Sequence, residues 1–191
     1  MLHNDTRALS VALGYRDRAT MLHSERVLGI AHAIGTGCGL TLAELGQLRV
    51  AATFHDLGKI GIPDHVLHKP GRLDADEREL MKQHSEIGEK IVAATEFDGA
   101  DCAARSIRHH HEHFDGRGYP DGLAGESIPI ASRIISVADS YDAMGAARTY
   151  QHARAHSDIM RILDAESGSK HDPAVFSVFR GLIANSPYRI A

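Results

Sequence analysis

Apolar residues along this chain recur at i, i+3, i+4 and i+7 and almost never alternate, which predicts helices nearly throughout and an all-α fold. Val27, Ile30, Ala31 and Ile34 predict a first helix over 20–37, broken by the glycines around Gly35–Gly39. Thr41 followed by Glu44 has the form of a capping box, opening a second helix to about Leu57. Gly58 and Gly61-Ile62-Pro63 end it, and Lys69-Pro70-Gly71 marks another loop. Asp74 with Glu77 opens the next helical pair, and Asp98 is predicted to cap a helix running to about Glu112. A glycine-rich loop from Phe114 to Pro129 follows. Helices near 130–146, 152–165 and 173–184 complete the pattern, the last with Pro173 in its first position after Asp172. With no internal repeat or low-complexity segment, the expectation is one compact helical bundle over 1–191.

Composition narrows the class. Hydrophobic residues at 43% and charged residues at 24% are ordinary for a soluble globular domain. No apolar run approaches the ~20 residues that span a bilayer, and the charge-broken segment Met1–Arg18 has no signal-peptide core. No membrane partner and a cytoplasmic location are expected. A formal net charge of -4 disfavours nucleic acid as a partner, because backbone binding needs a basic face. Cys38 and Cys102 lack any pairing or metal-type spacing and read as buried or half-buried thiols. Histidine is the unusual residue: there are 14 in 191.

Several histidines and two aspartates fall on the apolar stripes. His23 precedes Val27 by one turn; Leu48, Ala52 and His55 share a face, with Asp56 next to His55. His84 lies between Leu80 and Ile87, and Asp139 follows Ala131 and Ile135 at steps of four. In the run His109-His110-His111, His110 and His111 straddle the face of Ile107, whereas His109 points nearly opposite and is expected outside the site. A single core-facing histidine is most simply a hydrogen-bonded structural residue. Burying all seven of these groups without partners costs several kcal/mol each, roughly, and a shared cation removes that cost. Imidazole and carboxylate without thiolate suit Fe, Mn, Zn or Ni. Seven ligands exceed the needs of one ion, so two are expected, with Asp56 as a natural bridge.

The ordered motifs resemble a known family. His55-Asp56-Leu57-Gly58-Lys59-Ile60-Gly61-Ile62-Pro63 is similar to the signature of HD-domain phosphohydrolases. His110-His111-Glu112-His113-Phe114-Asp115-Gly116-Arg117-Gly118-Tyr119-Pro120 resembles the longer signature of their HD-GYP branch. Lys69-Pro70-Gly71, Met81-Lys82-Gln83-His84, Ile128-Pro129 and Ala138-Asp139-Ser140-Tyr141-Asp142-Ala143-Met144 match in order, so the resemblance covers about 16–184. It implies a bundle with a Gly-Tyr-Pro loop and two-metal hydrolysis of cyclic di-GMP, a bacterial messenger, by an activated water to the linear dinucleotide or GMP.

The metal ligands it implies are His23, His55, Asp56, His84, His110, His111 and Asp139, the set reached from the helix faces. It further implies Asp56 and Lys59 in catalysis, and Lys59, Gly118, Tyr119, Pro120 and Arg148 at the substrate, with the Gly-Tyr-Pro loop a docking point for GGDEF cyclases. Asp142, three residues after Asp139, is placed to orient a ligand, or equally to cap a helix or form a salt bridge. The chain departs from the pattern at Ala19, where members with a third metal carry glutamate, and at Gln151, where a second basic residue is usual. Phe114 replaces the common tryptophan, and His171 stands where an aromatic residue is usual and reads as structural. The alternatives are hydrolysis of another cyclic dinucleotide or a nucleotide, and a non-catalytic module that binds cyclic di-GMP or docks a cyclase.

Overall fold

The computed structural model describes residues 2–145 and 154–190. Its helices are α1 (Leu2–Arg16), α2 (Arg18–Gly37), α3 (Leu42–Phe54), α4 (Asp64–Leu67), α5 (Ala75–Lys82), α6 (His84–Ala93), α7 (Ala100–Arg108), α8 (Ile130–Gly145), α9 (His156–Glu166) and α10 (Pro173–Ile183). Short 3₁₀ turns cover Leu57–Gly61 and Gly125–Ser127. The described residues form no strand, only isolated bridges at Asp115–Ala124 and Ser167–His171.

Local chemistry sets most helix starts. Asp17 accepts from the Ala19 and Thr20 amides to open α2, two residues before the predicted start. The predicted capping box of Thr41 with Glu44 forms, and Asp74 with Glu77, predicted to open the next helix, does so as a second capping box. Asp172 caps α10, with Pro173 at its first turn.

Other boundaries differ from the pattern. The helix α1 was not anticipated; it is anchored by Leu13, which is buried, and by Leu9 one turn earlier. The predicted second helix stops at Phe54, not Leu57, because the chain at Asp56 (φ -98°, ψ 3°) leaves the helical region and tightens into the 3₁₀ turn. That turn lies so close to α6 that a Cβ on Gly58 would overlap the His84 carbonyl oxygen and the Gly88 nitrogen. The helix expected from Asp98 to Glu112 runs only from Ala100 to Arg108 and is capped by Gly99. Cys38 is half-buried, but Cys102 is exposed, contrary to its predicted burial.

The core gathers around α2, which packs against α3, α8 and α10. Val27, Ala31, Leu48, Ile107, Ile134, Ile135 and Tyr141 are fully buried there. Each large apolar side chain so buried stabilises the fold by about 1.5–3 kcal/mol. A second layer packs α6 against α7 and the 3₁₀ turn. The site lies where these two layers meet. Among the described residues, no helix is long and apolar enough to cross a membrane.

Candidate metal centre

Three imidazoles are aimed by the backbone. His55 follows the last residue of α3, His84 opens α6, and His110 sits in the turn after α7. Each Nδ1 lies against the carbonyl three residues back: Ala52 at 2.9 Å, Met81 at 2.7 Å and Ile107 at 2.6 Å. A carbonyl can only accept, so each Nδ1 carries the proton and each Nε2 presents its lone pair inward. His23, on α2, is aimed by a side chain instead: its Nδ1 lies 2.7 Å from Asp142 Oδ2.

These groups converge as two triads. His84, His110 and His111 form one; His23, His55 and Asp139 form the other, and within each triad the ligand atoms all lie within 4.8 Å of one another. Asp56 stands between them, with Oδ1 3.6 Å from His84 Nε2 and Oδ2 3.6 Å from His55 Nε2. All seven residues singled out from the sequence are therefore brought together. The ring of His109 points elsewhere, as predicted, but it is buried.

The residues fit a bound cation. His55 Nε2 is buried without a hydrogen-bond partner. His84 Nε2 and His110 Nε2 face each other at 3.4 Å although both are lone-pair nitrogens by their Nδ1 bonds. A divalent ion between such atoms satisfies them together.

Electrostatics divide the triads. Burial pushes His84, His110 and His111 below the ordinary imidazole range, His110 down to about 3, and the neighbouring imidazoles push the same way. In the other triad burial also disfavours the charged imidazole, but hydrogen bonds to Asp139 and Asp142 outweigh it and raise His23 to about 9. Burial likewise opposes ionisation of Asp56 and Asp139; Lys59 and the imidazoles outweigh it at Asp56, and His23 with His55 and His111 at Asp139, so both stay below the usual carboxylate range.

Around the triads, Lys59 Nζ lies 2.6 Å from Asp56 Oδ2. Tyr119 stacks on His111, with centroids 4.9 Å apart and planes at 27°, and Lys82 Nζ lies 5.4 Å from the Tyr119 ring centre. Gly118 admits no side chain, because a Cβ there would overlap the His113 nitrogen and Glu112 Cα. Pro120 continues the loop through a cis bond to Tyr119. Arg148 and Gln151 lie outside the described residues. His171 is buried, with its Nδ1 3.4 Å from Ser136 Oγ and its Nε2 3.2 Å from Glu166 Oε2.

Two features escaped the sequence reading. Arg26 forks onto both oxygens of Asp142, at 2.7 and 2.8 Å; its place three residues after His23, on the same helical face, was the available signal. Asp121 is pinned by Arg108 through both oxygens and by His109 Nε2 at 2.8 Å, while Glu112 accepts from its amide. His109, Glu112 and Asp121 lie close enough to hold an ion, but the Arg108 fork already occupies the Asp121 carboxylate. This network ties the Gly-Tyr-Pro loop to the end of α7.

A model of the HD domain matches residues 8–175. The chain belongs to the HD domain family. Among curated HD proteins it is 40% identical over 174 residues to the cyclic di-GMP phosphodiesterase response regulator RpfG of Xanthomonas campestris pv. campestris, covering 91% of this chain and 46% of that protein. It is 39% identical to a cyclic di-GMP phosphodiesterase of Thermotoga maritima, covering 90% and 46%. It is 38% identical to 3'3'-cGAMP-specific phosphodiesterase 2 of Vibrio cholerae, covering 86% and 32%. The chain thus spans less than half the length of these relatives. Among solved structures, a cyclic GMP-AMP specific phosphodiesterase of V. cholerae superposes with a TM-score of 0.67 at 22% identity, over 87% of this chain and 44% of that one. An HDG"Y"P protein of Bdellovibrio bacteriovorus superposes with a TM-score of 0.70 at 20% identity, over 87% and 53%. Both share the HD fold.

Proposed function

We propose that this HD domain hydrolyses a 3′–5′ phosphodiester of cyclic di-GMP, giving the linear dinucleotide or GMP, with two divalent ions as cofactors. The observation that carries the reading is the pair of triads with Asp56 between them. His84, His110 and His111 would hold one ion and His23, His55 and Asp139 the other, with Asp56 reaching both. Fe or Mn suits this donor set best, and Zn, Ni or Mg are also compatible. When bound, such ions acidify water and neutralise charge on phosphoryl oxygens.

The chain's own groups do the rest. The backbone carbonyls behind His55, His84 and His110 keep their Nε2 atoms free of protons. Asp56 stays ionised in a buried setting with Lys59 beside it, and Lys59 would be the cation that meets a phosphate oxygen as negative charge builds. Asp142 orients His23. Gly118, Tyr119 and Pro120 form one wall for the nucleotide, with Arg148 as a further phosphate contact. The same loop is the proposed docking point for GGDEF cyclases, and a bacterial cytoplasm is the proposed location. Similarity to relatives named for cyclic di-GMP and for 3'3'-cGAMP supports a cyclic dinucleotide as substrate and favours cyclic GMP-AMP as the second reading.

The test is hydrolysis of cyclic di-GMP, cyclic GMP-AMP and a simple phosphodiester by the protein loaded with defined metals, beside His55→Ala. Cyclic di-GMP turned over fastest, and lost in His55→Ala, is the expected result. Equal activity in both proteins refutes the site, and binding without turnover under every metal replaces the enzyme by a receptor.

A further inference from the structure

We infer that Arg26 is a positioning residue that, acting through Asp142, fixes the ring of His23 and sets the cation affinity of one half of the centre only. The inference rests on the reading of the triads as ion sites, and not on what the enzyme hydrolyses.

Two pairs of side chains face each other across packed helices. His23 and Arg26 lie three residues apart on α2, and Asp139 and Asp142 lie three apart on α8. Arg26 Nε donates to Asp142 Oδ1 at 2.7 Å and its terminal NH2 group to Oδ2 at 2.8 Å. This two-point contact holds the carboxylate in one plane, as a single-point cation does not. The oxygen so placed, Oδ2, lies 2.7 Å from His23 Nδ1, and the far nitrogen of that ring lies 3.0 Å from Asp139 Oδ1. The orientation of His23 is thus passed inward from a guanidinium whose side chain is 46% exposed, through a carboxylate that is 8% exposed.

Among the described residues, no side-chain ion pair of this kind stands behind His84 or His110. His84 and His110 are held by main-chain carbonyls, which no substitution of a side chain removes directly. A change at Arg26 should therefore reach the His23, His55 and Asp139 position and leave the His84, His110 and His111 position alone. Partners that orient ligand histidines typically carry about 10- to 100-fold in metal affinity.

The experiment is calorimetric titration of Mn²⁺ into chelator-treated full-length chain, comparing the unaltered protein with Arg26→Gln, Arg26→Lys and His84→Ala. In the unaltered protein two binding steps are expected. Arg26→Gln should weaken one step by about 10- to 100-fold. Arg26→Lys, which keeps the charge but loses the fork, should recover only part of that loss. His84→Ala should weaken the step that Arg26→Gln leaves intact. Equal weakening of both steps by Arg26→Gln, or no weakening of either, overturns the inference, as does full recovery by lysine. If Arg26→Gln loses its helical circular dichroism, Arg26→Lys carries the test, and unchanged affinities there overturn it. An unaltered protein that takes up no ion sinks the metal reading itself, and this inference with it.

Discussion

The two halves of the centre use similar side chains but are held in different ways. His84 and His110 are buried, kept neutral by burial and aimed by main-chain carbonyls. His23 and Asp139 are half-buried and paired with each other, and His23 is aimed by a side-chain ion pair. The first half is therefore preorganised as soon as α6 and the end of α7 are folded. In the second, His55 is held by the Ala52 carbonyl in the same way, but His23 and Asp139 depend on charges meeting across α2 and α8, and are open to tuning by single substitutions. Histidine in a buried site thus serves two different roles, and what decides between them is the partner of Nδ1.

The largest effect should come from removing what the halves share. Asp56→Ala takes away the carboxylate between the triads, and should weaken ion uptake at both by more than the ~100-fold typical of an outer partner. Loss at one half alone would break the symmetry assigned to Asp56. Isothermal titration beside turnover measurements reads this.

A sharper contrast comes from pH. In the metal-free protein, His23 is raised to about 9 in the folded state, above the ordinary histidine value of 6.5. Its contribution to stability is full below 6.5 and is lost as pH rises through 9. His110 is lowered from 6.5 to about 3, so the unfolded chain takes up its proton first and stability is lost as pH falls from 6.5 toward 3. The two limbs oppose each other. Melting temperature should therefore fall on both sides of about pH 6.5 without metal, with His23→Gln reducing the alkaline limb and His110→Gln reducing only part of the acid limb, to which His84, His111 and His171 also contribute. A profile in which either variant flattens both limbs would deny the division.

The smallest of these effects lies outside both halves. Gly118→Ala forces the loop away from His113 and Glu112, at a cost of about 1–3 kcal/mol, the usual range for overpacking. Thermal melts should register it, and turnover should fall as Tyr119 leaves its stack on His111 while ion affinity changes little.

Much of this was legible in the chain because it is local. The capping pairs Thr41/Glu44 and Asp74/Glu77 and the Asp172-Pro173 start act within one helical turn, and each formed as read. The seven ligand positions were legible because polar residues on apolar faces need a common explanation, and the geometry brings all seven together. The early ends at Phe54 and Arg108 were not legible: they follow from close approach of Gly58 to α6 and from a turn that carries His109 to Asp121. His110 and His111 were thus picked by a helical-face argument although they lie in a turn beyond the helix. The Arg26–Asp142 fork spans 116 residues; spacing on α2 puts Arg26 on the face of His23 but does not name its partner on α8.

The central claim is that two cations sit on either side of Asp56. Anomalous diffraction from crystals grown with saturating Mn²⁺ tests it most directly. The account predicts two peaks, one among His84, His110 and His111 and one among His23, His55 and Asp139, with Asp56 touching both. A single peak, or density at His109, Glu112 and Asp121 with the triads empty, would contradict it.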